Sequence, residues 1–322
     1  MIGLYIALFE NKVILTITII LVCIMLFILL FSLFTFLLVF YSKSRKPTKE
    51  NEYPLIKGKV YVPYHKLMID FIKEVRKLNH FDVEIKSYDG LTLRGKYFKF
   101  YENAPIEIML HGYRGESERD LSGGVFRAKK SFHNVLLVDN RACGRSDGHV
   151  ITFGIRESMD LLKWIDFVIK EIDKDAKIIL TGISMGASTV LMTSNKDLPS
   201  NVIGVLADCG YTTPKEIIKV VIKKLHLPVF LIYPFISIGA RLFGGFSLNT
   251  TGAKGAVKEA KVPVIFFHGD NDNFVPSYMS EENYNNCISR KKLVLVKGAG
   301  HGLAYIIDED NYIKEVIDFF NK

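Results

Sequence analysis

The segment Ile178-Ile-Leu-Thr-Gly-Ile-Ser184-Met-Gly-Ala187 joins a short apolar run to a helical pattern that continues to Thr193. An apolar run of this length that ends in a glycine-containing turn predicts a buried strand. Glycines two positions before and two positions after the serine avoid Cβ clashes with the strand and helix that flank the turn. The pattern therefore predicts a sharp, strained turn that presents the hydroxyl of Ser184 at a helix N-terminus, where backbone N–H groups can stabilise developing negative charge.

On both sides of this turn, apolar runs alternate with helical patterns. The dipeptide Asp89-Gly90 lies between two alternating runs and predicts a β-hairpin. Continuous apolar strands that alternate with helices predict an α/β fold with a mostly parallel central sheet covered by helices on both faces. The predicted strands are Ile106–Leu110, Val135–Val138, Ile178–Thr181, Val202–Ala207, Val264–Phe267 and Leu293–Val296, and the predicted helices lie near 67–78, 121–131, 156–173, 185–195, 277–289 and 311–321.

One stretch, from 212 to about 258, is longer than a usual connection between two strands. It contains apolar residues at helical spacing and then the apolar run Pro228–Phe243. Long insertions in compact domains commonly act as lids over binding sites, so we predict a small helical lid; an extra packed helical pair is the alternative. The segment Val229–Ala240 is too short to span a membrane.

The N-terminal part of the chain is apolar over an unusual length. From Val13 to Tyr41 there are 29 residues without a charge, whereas about 20 apolar residues cross the hydrocarbon core of a bilayer. The run is too long for the apolar core of a signal peptide and is not followed by a small-residue cleavage site. It is apolar on every face, which disfavours a buried core helix. We therefore predict a transmembrane helix.

Basic residues are more frequent after this run than before it. Only Lys12 precedes it closely, and basic residues near a span tend to remain in the cytoplasm. We therefore expect an N-terminus outside and a cytoplasmic globular part. Residues 1–42 are predicted as the membrane anchor, 43–63 as a basic linker and 64–322 as one large α/β domain that contains the insertion. The basic residues after the run are Lys43, Arg45, Lys46, Lys49, Lys57 and Lys59.

Charge and cysteine content restrict the classes of function. The net charge is +8, and part of it lies in the juxtamembrane cluster, which can bind anionic lipid headgroups. The other basic residues are scattered among acidic ones, so no nucleic-acid partner is expected. The four cysteines form no CxxC pair and no Cys/His cluster, which disfavours a disulfide framework and a zinc site. They are Cys23, Cys143, Cys209 and Cys287.

A nucleophilic serine needs a base, and in this arrangement of motifs an acid and then a histidine follow the serine along the chain. The strand Val264–Phe267 is followed by a loop containing Asp272, and Leu293–Val296 by a glycine-rich loop containing His301. We predict that His301 is the base and that Asp272 orients it. Asp270 and Asp208 are alternative acids, and a plain surface histidine is the alternative for His301.

A tetrahedral intermediate also needs hydrogen-bond donors for its oxyanion. One donor is expected from the backbone N–H of the residue after the nucleophile, Met185, and one from the loop after the third strand. That loop reads His111-Gly-Tyr-Arg-Gly115, and we predict that the backbone N–H of Tyr113 is the second donor. Chemistry of this kind requires neither a metal nor an organic cofactor.

Together and in this order, these motifs resemble the α/β-hydrolase superfamily, and more narrowly bacterial serine hydrolases similar to the serine aminopeptidase and prolyl-oligopeptidase-like families. The resemblance covers about residues 81–322. It implies an α/β-hydrolase fold and a triad at Ser184, Asp272 and His301. The dipeptide Ala142-Cys143 departs from the pattern of relatives in a loop near the site. The motifs are the strand-HG loop, the segment Asp139-Asn-Arg-Ala-Cys-Gly-Arg-Ser146, GISMG, HGDNDNFVP and GAGHG.

These observations predict a membrane-anchored serine hydrolase that cleaves a carboxylic ester through an acyl-enzyme on Ser184. The apolar insertion and the anchor favour an acyl or lipid-like ester as the partner of the site. A serine peptidase or amidase of the same fold is the enzymatic alternative, and an acyltransferase would use the same residues. A membrane-bound scaffold that has lost the chemistry is the alternative from another class.

Overall fold

The structure is a computed structural model that describes residues 2–43, 48–49 and 51–321, with side chains from residue 11 onward. Contacts divide the chain into two compact units. We call residues 1–41 and 222–248 the helical unit, and residues 42–221 and 249–322 the sheet unit. Arg45 and Lys46 of the predicted basic cluster lie outside the described residues.

The described part of the sheet unit is built on one sheet of eight strands. They are β1 Phe81–Lys86, β2 Thr92–Phe98, β3 Ile106–Leu110, β4 Asn134–Val138, β5 Ile178–Ile183, β6 Val202–Asp208, β7 Val264–Gly269 and β8 Lys291–Val296. Their spatial order is β1-β2-β4-β3-β5-β6-β7-β8. The hairpin β1–β2 and the pair β2–β4 are antiparallel, and the other neighbours are parallel.

Helices cover both faces of this sheet. Alternation along a strand sends neighbouring side chains to opposite faces: Ile108 packs in one cluster with Leu161 and Val190, and Met109 packs in another with Val125. The α/β fold with a mostly parallel sheet is therefore confirmed. The helices of the sheet unit include α2 His65–Lys77, α3 Ser117–Lys130, α4 Glu157–Phe167, α5 Met185–Thr193, α8 Gly252–Ala256, α9 Tyr278–Asn286, α10 Ala304–Ile307 and α11 Glu309–Phe320.

The helical unit contains α1 (Ile2–Val39) and α7 (Val229–Leu242), and α6 (Pro214–Lys224) ends within it. Helix α1 is long and apolar enough to span a membrane. Helix α7 packs along it, with the rings of Phe235 and Phe31 4.8 Å apart edge to face. The central part of the insertion, predicted as a lid, therefore belongs to the same compact unit as the predicted anchor.

The second half of the predicted linker 43–63 is packed within the sheet unit. A 3-10 helix at residues 59–64 leads from it directly into α2, and Tyr61 is buried. The sequence predicts a basic linker here, and the apolar side chains of its second half find partners that are remote in sequence. The cluster consists of Leu55, Ile56, Tyr61, Tyr64, Met68, Leu303 and Ile306.

Candidate active site

The turn at Ser184 joins β5 to α5 and is strained as the sequence predicts. The backbone of Ser184 has φ 56° and ψ −115°, a conformation that costs a non-glycine residue about 1–3 kcal/mol. A Cβ on Gly182 would lie 2.2 Å from the carbonyl carbon of Gly186, and a Cβ on Gly186 would lie 2.1 Å from the carbonyl oxygen of Leu110. Only glycine fits at either position, so this packing holds the serine in its turn.

Three predicted site residues form a continuous hydrogen-bonded chain. The Oγ of Ser184 lies 2.9 Å from Nε2 of His301, and Nδ1 of His301 lies 2.6 Å from Oδ2 of Asp272. Asp272 follows β7 and His301 follows β8, and both strands run parallel to β5. Because parallel strands have their carboxyl ends at the same edge of the sheet, loops from three strands meet at one place.

The Asp272 carboxylate is held by several donors. Its Oδ1 accepts the backbone N–H groups of Phe274 at 2.7 Å and Val275 at 2.9 Å. The Nε2 of His268 lies 3.2 Å from Oδ2 and 2.8 Å from the carbonyl oxygen of Val275, so one N–H faces both acceptors. Burial favours a higher pKa, but the contacts with His268 and His301 outweigh it and hold the pKa of Asp272 well below its usual range.

His268 is a buried member of the site to which the sequence analysis assigned no role. The Oγ of Ser280 lies 2.7 Å from its Nδ1, which fixes the ring between Ser280 and the loop that carries Asp272. The signal that could have found it is a histidine at the end of an apolar strand, four residues before the acid. His268 supports the acid at Oδ2, the same carboxylate oxygen that His301 contacts.

The two alternative acids have other partners. Asp270 is exposed, and its Oδ1 accepts the backbone N–H of Gly298 at 2.6 Å. Asp208 is buried at the end of β6, where the hydroxyl of Tyr312 donates to its Oδ2 at 3.1 Å. Asp272 is thus the carboxylate that bonds the histidine. Burial raises the pKa of Asp208 to about 6, and its Oδ1 is buried without a hydrogen-bond partner among the described residues.

The loop after β3 lies directly beside the serine. A Cβ on Gly112 would be 3.5 Å from the Cβ of Ser184, so the backbone here approaches the turn closely. The ring of His111 fixes the loop: the N–H of Asn140 donates to its Nε2 at 3.0 Å, and its Nδ1 lies 2.8 Å from the carbonyl oxygen of Gly112. Since Nε2 accepts, Nδ1 carries the proton and donates. The bond from Asn140 ties the loop to the segment 139–146.

The two residues predicted to donate to an oxyanion flank the serine. Tyr113 follows Gly112 in this loop and lines the cavity that also contains Ser184. Met185 is buried and is the first residue of α5. At a helix N-terminus the first backbone N–H groups have no partner within the helix. The assignment of these N–H groups to an oxyanion stays a prediction.

A mostly apolar cavity of about 480 Å³ opens beside Ser184 and His301. Its volume lies within the range of small-molecule sites. The hydroxyl of Tyr61 donates to the carbonyl oxygen of His301 at 3.0 Å and fixes the packed linker as one wall. The described residues that line the cavity all lie outside 212–258. Apolar lining comes from Val60, Met68, Phe71, Met109, Leu121 and Ile306.

One group of side chains within the described residues has a spacing that suits a metal ion. Donor atoms of Cys209, Asp272 and His301 lie within 4.8 Å of one another. Burial raises the pKa of the Cys209 thiol well above its usual range, whereas a metal binds the thiolate. Asp272 and His301 already bond each other. The donors present therefore fit a hydrogen-bonded site better than a metal site.

The sheet order, the strained turn after β5, and the acid and histidine after β7 and β8 together define an α/β-hydrolase fold. No family model matches the chain. The sequence is 23% identical to the uncharacterized protein YqkD of Bacillus subtilis over 245 residues, covering 74% of this chain and 78% of YqkD. It is 30% identical to the polyketide transferase af380 of Aspergillus fumigatus over 136 residues, covering 37% of this chain and 42% of that protein.

Among solved structures, the chain is similar to the esterase Pf2001 of Pyrococcus furiosus. The TM-score is 0.62 at 22% sequence identity, and the match covers 85% of this chain and 98% of the esterase chain. This likeness extends over most of the molecule, and it establishes that the two proteins share the α/β-hydrolase fold.

The raised pKa of Asp208 predicts a pH-dependent effect of Asp208→Asn on stability. An acid that keeps its proton in the folded chain up to about pH 6 loses stability as pH rises from about 4 to 6, by about 3 kcal/mol at most. The asparagine variant lacks this loss. Relative to wild type, its free energy of unfolding should therefore be larger, meaning greater stability, at pH 7.5 than at pH 4.

Urea unfolding of the detergent-solubilised chain at both pH values measures this difference. Asp197→Asn, on the exposed surface, is the control for removal of one negative charge. A stability difference between Asp208→Asn and wild type that is the same at both pH values would contradict the assignment of a buried proton to Asp208.

Proposed function

We propose that the protein is a membrane-anchored serine hydrolase that cleaves a carboxylic ester with an apolar acyl group. The observation that carries this proposal is the hydrogen-bonded chain from Asp272 through His301 to Ser184 at the mouth of an apolar cavity. An acid, a histidine and a serine in this geometry are the elements of a nucleophile activated by a general base.

In the first half of the reaction, Ser184 Oγ attacks the ester carbonyl and its proton passes to His301 Nε2, 2.9 Å away. The ionised Asp272 stabilises the imidazolium that forms. Negative charge develops on the carbonyl oxygen, where the N–H groups of Tyr113 and Met185 donate to it. The intermediate collapses when the imidazolium returns its proton to the leaving alkoxide, and an acyl-enzyme remains.

In the second half, water takes the place of the alcohol. His301 accepts a proton from the water, whose oxygen attacks the acyl carbon. The second tetrahedral intermediate then expels Ser184, which regains a proton from His301. The carboxylic acid leaves, and all three side chains return to their starting protonation states.

The cavity favours an apolar acyl group. Its lining beyond the serine is largely aliphatic and aromatic, and Gly123 and Gly124 of α3 lie on its wall. A Cβ on Gly124 would contact only the Sδ of Met109, at 3.5 Å, so this glycine leaves space that a chain can occupy. A structural neighbour described as an esterase, Pf2001, also supports an ester substrate.

Anchoring to a membrane is the second part of the proposal. In the stretch 11–30 of helix α1, every residue is exposed. All of their side chains are apolar except those of Asn11, Lys12, Thr16 and Thr18. Twenty helical residues span about 30 Å, which equals the hydrocarbon thickness of a bilayer. The excess of basic residues after α1 favours a sheet unit on the cytoplasmic side.

Acyl transfer is a second candidate reaction. The observation that favours it is the likeness to a protein named polyketide transferase, of which the chain covers 42%. An acyl-enzyme on Ser184 reacts with an alcohol by the same steps as with water. The ratio of free acid to transferred ester, measured with glycerol present, distinguishes the two reactions.

Replacement of the nucleophile gives the first test. Wild type should react covalently with a fluorophosphonate probe, because the probe captures a serine activated by a neighbouring base. Ser184→Ala should not react, whereas Ser200→Ala, which changes an exposed serine, should label like wild type. Equal labelling of Ser184→Ala and wild type would refute Ser184 as the nucleophile.

Replacement of the acid gives the second test. Asp272→Asn removes the charge that orients His301 and stabilises its protonated form, so kcat for a short-chain ester should fall about 10⁴-fold. Asp270→Asn, two residues away in the same loop, should leave kcat within a factor of a few. The assignment fails if Asp272→Asn turns over the ester at a near wild-type rate.

The third test concerns the acyl pocket. Gly124→Leu places a side chain in the cavity and displaces about two methylenes of a long acyl chain, worth about 0.8 kcal/mol each. The value of kcat/KM for long-chain esters should therefore fall about tenfold, with little change for acetyl esters. Lys129→Leu, at an exposed position of the same helix, is the control. Equal losses for both chain lengths would place the acyl group elsewhere.

A further inference from the structure

The turn between α6 and α7 carries a concentrated group of exposed apolar side chains. Within seven residues, Leu225, Leu227, Phe230 and Leu231 are exposed to 63%, 44%, 84% and 51%. Two basic residues, Lys223 and Lys224, stand immediately before them at the end of α6. Contiguous exposed apolar surface next to basic side chains is typical of contact with a lipid surface.

Helix α7 packs closely on α1. A Cβ on Gly239 would lie 2.5 Å from the carbonyl oxygen of Ser32, so the absence of a side chain at 239 lets the two backbones approach. Small residues at a helix–helix contact are typical of packing within membranes. Aromatic side chains extend the contact on both sides of this point. The ring pairs are Phe235 with Phe27, Phe235 with Phe31, Phe36 with Phe243 and Phe40 with Phe246.

The order of these pairs sets the level of each α7 residue along α1. Residue numbers rise together in the two helices, which therefore run parallel. Phe235 lies against Phe27 and Phe31, so Phe230, five residues earlier, is level with about residue 24 of α1. That level falls inside the stretch 11–30, in which every residue of α1 is exposed.

We propose that the α6–α7 turn, residues 225–231, inserts into a lipid leaflet. This is the leaflet on the side of the membrane where the C-terminal end of α1 emerges. The proposal rests on the membrane anchoring proposed above. We take residue 30, where the fully exposed stretch of α1 ends, as the level at which α1 leaves the acyl chains. Phe230 is about six residues deeper, or about 9 Å at 1.5 Å per residue, which is within the depth range of interfacial helices. At the adjoining end of α6, Lys223 and Lys224 extend their long side chains toward the headgroups.

The alignment of α7 along α1 indicates that lipid, rather than a protein, contacts the α6–α7 turn. A protein partner would have to share the level of Phe230 with acyl chains that surround α1. The inference therefore assigns the protein two lipid contacts, a spanning helix and a shorter turn beside it. Two contacts fix the rotation of the helical unit about the membrane normal, which a single helix does not.

Tryptophan fluorescence in vesicles tests the depth of the turn. The full chain contains one tryptophan, Trp164, whose signal is subtracted with wild type. Phe230→Trp reports on the turn, and Leu242→Trp is the matched control at the other end of α7, where the side chain is 60% exposed. Leu21→Trp, at a position of α1 that is 61% exposed, reports on the anchor. Each variant is reconstituted in phosphatidylcholine–phosphatidylglycerol vesicles with brominated acyl chains.

We expect strong fluorescence quenching of Leu21→Trp and of Phe230→Trp. For Phe230→Trp, bromines on acyl carbons near the headgroup should quench most. Quenching of Leu242→Trp should be at least twofold weaker. Quenching of Leu21→Trp with none at Phe230→Trp beyond the Leu242→Trp level would overturn the insertion of the turn and leave the anchor intact. Blue-shifted but unquenched emission from Phe230→Trp would mean that protein covers the turn. Absence of quenching at Leu21→Trp would refute the anchor and this inference together.

Discussion

The close approach of Gly186 to the carbonyl oxygen of Leu110 is the contact on which the site depends. Leu110 is level with Gly182 in the register of β3 and β5, so the turn after β5 begins where β3 ends. Because a Cβ at 186 would lie 2.1 Å from that oxygen, the helix start can press against β3 only if residue 186 is glycine. This packing offsets the backbone strain at Ser184 and brings the serine beside Gly112.

The same edge of the sheet carries three carboxyl groups whose surroundings give them different properties. Asp272 receives hydrogen bonds on both oxygens and stays ionised. Burial raises the pKa of Asp208, whose partner is the hydroxyl of Tyr312. Asp270 is exposed to solvent. A single well-held negative charge therefore faces His301, as an orienting acid requires, and local bonding rather than proximity in sequence distinguishes the three acids.

Features set by local pattern could be predicted from the sequence. The six predicted strands are present because buried parallel strands are continuous apolar runs, and Ser184, Asp272 and His301 meet because each follows such a strand. The role of Tyr61 could not be predicted, since its partner is a backbone carbonyl 240 residues away. The same holds for α7: its apolar pattern suits a lid equally well, and its association with α1 depends on contacts between residues remote in sequence, such as Gly239 with Ser32 and Phe235 with Phe31.

The packed linker has a consequence for the relation between anchor and cavity. The segment that follows α1 in the chain includes Val60 and Tyr61, which line the cavity, and Tyr61 bonds the backbone of the histidine. Leu55 and Ile56 belong to the same packed cluster, so the wall begins well before α2. A truncation that removes the proposed anchor therefore has to retain residues from 55 onward if the cavity is to keep this wall. Substrate preferences of a shorter fragment would describe a different cavity from the one in the full chain.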